Sequence, residues 1–178
     1  LKVNYFKVDA SIITDESLRR SLRGATLTTD DIGSIWINDE LGNTVHFTIG
    51  HETYHYLKRT FPALAADLDR VLDANIKWNS PEYRAFYEAH LEGYSAAHGE
   101  DASARIADEY RAFVMGEVFN EASFWNRLQR KNPGLFQRVI GYLSRVISSF
   151  TGYKGKYKTA ATRAIAQIEE VLDTASSV

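Results

Sequence analysis

Cysteine is absent from the chain, so disulfide staples are excluded and any metal site must be built from His, Asp or Glu. Proline is scarce, with three in 178 residues, and no segment is of low complexity. Collagen-like and disordered classes are thereby excluded. No apolar run is long enough to span a bilayer, and the opening LKVNYFKVD lacks the pattern of a signal peptide. Methionine is nearly missing too. Met115 is the only one and the chain begins at Leu1, which reads as a domain excised from a longer protein. Its compartment is then that of the parent, with secretion or delivery as part of that parent among the expectations. What remains is 44% hydrophobic and 25% charged, enough for one domain, residues 1–178, with a real core.

Acidic residues are missing from one long segment. Asn126 to Lys158 holds eight basic side chains and no acidic one, against a net charge of −2 for the whole chain. The plain reading is a solvated helix face followed by a loop. The alternative is a patch for an acidic partner protein, anionic lipid or phosphate. Nucleic acid is not the expected partner.

The first third has mixed character. VNYFKV and SIWIND alternate as strands do, SLRRSLRG reads as a brief helix closed by Gly24, and ELGN reads as a turn with Asn43 or Thr44 as N-cap. Helices are then expected over Val45–Thr60, Pro62–Ile76, Pro81–His98, Ala102–Phe119, Phe124–Lys131, Leu135–Phe150 and Ala160–Ala175. The expected class is α+β, mainly helical with a small N-terminal β-sheet. Residues 1–44 would form the sheet region, 45–120 the helices of the site, and 121–178 the C-terminal helices.

Residues 50–58, GHETYHYLK, carry the densest chemistry. His51 and His55 are four apart, so on a helix both imidazoles face one side and can serve one ion. Zinc accepts His nitrogens at roughly 2.0–2.1 Å and lowers the pKa of a bound water towards ~7. Glu52, one step around the helix, is placed to take that proton as general base. Gly50 leaves room for a close approach. The pattern has only three fixed positions and needs its helical context to carry weight.

A third ligand must come from downstream. Glu109 has Ala102, Arg105, Ile106, Ala112, Phe113 and Gly116 as its helical neighbours, a mainly apolar surface where an unpaired carboxylate is costly. A bound cation explains it. Asp108 lies near Arg105 and Arg111, where a solvated ion pair suffices. Glu88 and Glu92 read as an exposed stripe, His90 as a buried hydrogen-bonded residue, and His98 as a helix C-terminal cation. Glu117 is a candidate to orient a ligand, and His46 lies off the face of the pair. The order of preference is Glu109, then Glu92, then His98.

With these residues the chain resembles the HExxH zinc metallopeptidases, the zincins, and among them the gluzincins, where a glutamate on a later helix is the third ligand. IADEYRAFVMGEVFNEASFWNRL and KNPGLFQRVIGYLSRVI look like the bacterial and phage peptidase domains of mobile elements and large multidomain proteins. One feature departs from the branch: Phe113 stands four after Glu109, where a second acidic residue is common. The longer metzincin motif is absent, because no third histidine follows His55 at its spacing. The resemblance implies a zinc-dependent endopeptidase, Zn2+ held by His51, His55 and Glu109, with Glu52 as base. It also implies that the strand before the site helix is a sheet edge that pairs with a peptide or protein substrate, with Trp36 and Asn38 facing the cleft. A donor for the developing oxyanion is needed, and Tyr83, Tyr87, Tyr94 and Tyr110 are equally eligible. The alternatives within the same fold are a toxin-type effector protease with one narrow target and a catalytically silent binding module.

Overall fold

Each of the three prolines opens a helix, as its fixed φ and missing N–H favour. The computed structural model describes the backbone of residues 2–6, 24–29, 32–38 and 45–148, with positions 166, 169–171, 173 and 174; side chains are described for 46–143 and those last positions. Helix α1 spans Val45–Thr60 and ends where Phe61 donates its N–H to the Leu57 carbonyl at 2.8 Å. Pro62 then begins α2, Pro62–Asp73, which buries Ala65, Leu68 and Leu72 at helical spacing. Pro81 begins α3, Pro81–His98, after Ser80 caps it by accepting the Tyr83 N–H at 3.2 Å. The chain leaves α3 through Gly99 at φ 56°, a conformation that favours glycine. A 3-10 turn, Gly99–Asp101, leads into α4, Ala102–Val118. Helix α5, Ala122–Lys131, and α6, Pro133–Ser148, follow, and Asn132 caps α6 by accepting the Leu135 N–H at 3.1 Å.

The core is one cluster. Ile49, Tyr54 and Leu57 of α1 meet Leu68 and Leu72 of α2, Ala112 and Met115 of α4, Phe124, Trp125 and Leu128 of α5, and Leu135, Phe136, Val139 and Leu143 of α6. Val171 packs against it from the C-terminal part of the chain. Trp125 is buried with its indole N–H donated to the Phe119 carbonyl at 2.9 Å, so its one polar atom is satisfied. Helix α3 contributes no fully buried residue and lies outermost, against α4.

Two expectations are corrected. The class is mainly helical rather than α+β: the part whose side chains are described is 88% helical and contains no strand. Residues 45–148 bury their apolar surface helix on helix. Strand-like backbone is confined to β1, Lys2–Phe6, β2, Gly24–Thr29, and β3, Ile32–Asn38, outside the residues whose side chains are described. The edge assignment also fails. Backbone pairing follows the order β1-β3-β2, with β1 parallel and β2 antiparallel to β3, so both flanks of the segment before α1 are occupied. A strand with its N–H and C=O groups engaged on both sides offers none to a substrate. The side chains of Trp36 and Asn38, the brief helix read in SLRRSLRG and the cap at Asn43 or Thr44 lie outside the described residues. Among the described residues, no helix is long and apolar enough to cross a membrane.

Candidate metal centre

Helices α1 and α4 approach each other through glycine on both sides. A Cβ at Gly50 would lie 2.8 Å from the Phe119 Cβ and 2.9 Å from the Met115 carbonyl oxygen, and one at Gly116 would lie 2.8 Å from the Phe47 ring. Phe47 lies against Gly116 while Lys58, three turns further along α1, pairs with Asp108, so the two helices run antiparallel. Moving along α1 past Gly50 means moving back along α4, which brings His51 and His55 opposite Glu109.

The meeting is close. His51 Nε2 lies 3.1 Å from Glu109 Oε1, His55 Nε2 lies 3.2 Å from Glu109 Oε2, and the two Nε2 atoms are 3.2 Å apart. Among the described residues these three form the group whose ligand atoms converge, all within 4.8 Å of one another. Two imidazole nitrogens and a carboxylate are a donor set that zinc takes. A tetrahedral ion with bonds of 2.0–2.1 Å holds its ligand atoms about 3.3 Å apart, close to the separations found here. The residues present fit the ion.

Burial pushes the Glu109 carboxyl up, but the hydrogen bonds and charge of His51 and His55 outweigh it and hold Glu109 well below the usual carboxylate range. Glu52 is 6% exposed and stands outside the group of three. His51 Nδ1 is buried with no hydrogen-bond partner among the described residues. The ring is held by packing instead: Phe47 stacks on it with centroids 5.8 Å apart, and Phe113 meets Phe47 edge-on at 5.4 Å. An aromatic at position 113, where the resemblance expected an acid, thus supports a histidine by contact rather than by a hydrogen bond. Glu117 is exposed and acts electrostatically on His46, whose pKa burial lowers.

The other candidates fall elsewhere. Glu88 and Glu92 are exposed on α3. His90 bonds through Nδ1 to the Phe86 carbonyl at 2.7 Å and stacks on the Phe86 ring at 4.1 Å, a structural histidine. His98 stands outside the converging group. Of the four tyrosines, Tyr83 and Tyr110 belong to an aromatic cluster with Trp78 and Phe86, and the Tyr87 hydroxyl is shared with Ser103 at 2.8 Å. Tyr94 alone of them lines the same cavity as Glu109; burial first, then the Glu109 carboxylate nearby, push its phenol up to about 12. It therefore remains a donor at neutral pH.

Asp108 corrects the expectation of a simple solvated pair. Half-buried, it accepts from Lys58 at 3.0 Å and Arg111 at 2.9 Å, while Lys58 also holds Asp69 at 2.6 Å and Arg111 holds Asp73 at 2.8 Å. The Tyr54 hydroxyl donates to Asp69 at 2.7 Å. This network ties α1, α2 and α4 together directly behind the group. Reading α4 alone supplied Arg111 but missed Lys58 and the Asp69 and Asp73 ends of the network, which come from α1 and α2.

A cavity of about 230 Å³ opens beside the group, shares His55 and Glu109 with it, and is lined also by Tyr94. A larger groove of about 670 Å³, at the corner of α1 and α2 against α6, is lined mainly by apolar and neutral residues, and its Arg138 is paired with Asp67 at 2.9 Å. The titratable groups lie at the smaller one. No family model matches the chain, and neither curated proteins nor solved structures yield a match to it.

Proposed function

We propose that the chain is a zinc-dependent endopeptidase, with His51, His55 and Glu109 as the residues that hold the ion. The observation that carries this reading is the convergence of two Nε2 atoms and two carboxylate oxygens at 3.1–3.2 Å from one another's partners, across 54 residues of sequence between His55 and Glu109. Zinc supplies Lewis acidity at such a site, lowering the pKa of water and polarising a carbonyl.

The protein's own groups then have distinct tasks. Glu52, next to His51 on α1, takes the proton of the attacking water and returns it to the leaving amine. Tyr94, a phenol that keeps its proton and lines the cavity beside Glu109, donates to the oxygen on which charge develops. Glu109 remains an anion throughout the physiological range because the two imidazoles stabilise its charged form. The Gly50 and Gly116 contacts fix the helix spacing that the three ligands need.

The test is metal analysis of the wild type beside Glu52→Gln and Glu109→Ala, followed by cleavage mapping on a peptide library. Stoichiometric zinc in wild type and Glu52→Gln, reduced zinc in Glu109→Ala, and cleavage by wild type alone are expected. Full zinc and full activity in Glu109→Ala would remove Glu109 from the ligand set. Full zinc in a wild type that cleaves nothing would favour a silent binding module.

A further inference from the structure

Three helices bring a functional side chain to the group, and each carries a basic side chain one turn further in the same direction. On α1, Arg59 follows His55 by four; on α3, His98 follows Tyr94 by four; on α4, Arg105 precedes Glu109 by four. Because α4 runs against α1 and α3, these three steps all lead the same way. All six side chains line the cavity of about 230 Å³ described above. The basic ring therefore lies about 5.4 Å, one helical turn, from the level of the ligands. Extended chain advances roughly 3.3 Å per residue, so this offset falls between one and two residues from a scissile carbonyl, within reach of a side chain adjacent to the bond.

The carboxylates of this wall are already engaged, and Arg105 is the basic residue on which the reading of the cavity rests. Lys58 and Asp108, which also reach the cavity, answer each other and their partners Asp69 and Arg111. Glu109 is engaged by His51 and His55. Arg105 forms no ion pair among the described residues, even though Asp101 stands one turn before it. Arg59, His98 and Arg105 are exposed to solvent at the mouth. A guanidinium with its donors turned into a cavity recognises a carboxylate through paired, charge-assisted hydrogen bonds.

We propose that this cavity is the specificity pocket of the peptidase and takes the side-chain carboxylate of a glutamate or aspartate adjacent to the scissile bond, with Arg105 as the residue that reads it. The proposal rests on the zinc-peptidase reading for the position of the scissile bond. Internal cleavage requires the acid to be a side chain and not a chain terminus.

The experiment reads binding without turnover. Fluorescein-labelled peptides of Ala, Gly and Leu, amidated at the C-terminus and carrying one central Glu, are titrated by anisotropy into the whole chain in its Glu52→Gln form with zinc added. Their twins carry Gln at that position. A third set has Gln and a free C-terminal carboxylate. The Glu peptide is expected to bind about tenfold more tightly than its Gln twin, an advantage that salt weakens. Arg105→Gln should abolish the advantage with unchanged zinc content, and Arg105→Glu should reverse it towards peptides with a central Lys. Equal binding of the Glu and Gln peptides, a preference confined to the free C-terminus, or undiminished discrimination in Arg105→Gln would each overturn the pocket and leave the peptidase reading standing. Absent zinc or absent hydrolysis would sink the peptidase reading while this binding measurement still decided the pocket.

Discussion

Gly116 lies so close to Phe47 that a Cβ on it would stand 2.8 Å from two ring carbons and 2.9 Å from the Phe47 carbonyl oxygen. The ring can shift but the carbonyl is held in α1. In an exposed helix Gly→Ala gains up to ~1 kcal/mol of propensity, whereas overpacking a core costs about 1–3 kcal/mol. Contact with backbone decides the sign. Gly116→Ala is expected to lower stability by about 1–2 kcal/mol and to weaken zinc binding by separating α1 from α4. Denaturant midpoints and zinc titration check both; a more stable variant with unchanged affinity would show that the helix spacing does not depend on this glycine.

The sequence made part of this site legible, and the division is physical. His51 and His55 were readable because four residues on one helix fix their relation. Glu109 was readable because its own helical neighbours are apolar and a lone carboxylate there is costly. Tyr94 and Arg105 were not, since each acquires meaning only when α3 and α4 pack beside α1. Their positions one turn from His98 and Glu109 were a usable signal, but only after the helix directions were known. The strand before α1 reads correctly as extended backbone, yet alternation says nothing about which neighbours it has. Its central place in the order β1-β3-β2 comes from long-range pairing, whereas the dominance of helix after residue 45 is local and was legible.

The ion network behind the group separates two aspartates of similar local sequence. Asp69 has 16% of its side chain exposed, holds Lys58, and accepts the buried Tyr54 hydroxyl at 2.7 Å. Asp73 has 36% exposed and pairs with Arg111, which keeps Asp108 as a second partner. Removing Asp69 leaves a buried hydroxyl without its main acceptor, a loss of about 1–3 kcal/mol. Removing Asp73 costs less than ~1 kcal/mol, as partly exposed pairs do. Asp69→Ala is therefore expected to be the more destabilised in thermal or denaturant unfolding, and the reverse order would contradict this network.

Glu109 also sets a pH dependence in the metal-free protein. Its folded carboxyl is held well below its unfolded value, so the folded state binds fewer protons around that value and stability rises with pH there. The contribution is complete above the ordinary glutamate pKa of about 4.3 and is lost as pH falls towards the lower folded value. Glu109→Gln removes the titrating group. In zinc-free samples its stability should decline less steeply than wild type below about pH 4.3, measured by unfolding at a series of pH values. Parallel acid limbs would mean that the imidazole contacts do not favour the charged carboxylate.

Glu52 and Tyr94 are assigned to different moments of one reaction, and kinetics can tell them apart. A general base contributes about 10²–10⁴-fold and a single oxyanion donor about 10²–10³-fold. Glu52→Gln should bind zinc and peptide normally and lose hydrolysis to that extent, because the amide cannot accept the proton. Tyr94→Phe keeps the ring that packs between His90 and His98 and removes only the hydroxyl. Its kcat should fall with little change in KM, since the donor acts where charge develops and not on the ground state. If Tyr94 served instead only to hold Glu109, the variant would lose zinc affinity and recover full kcat at saturating zinc. Steady-state kinetics across a zinc titration distinguishes the two outcomes.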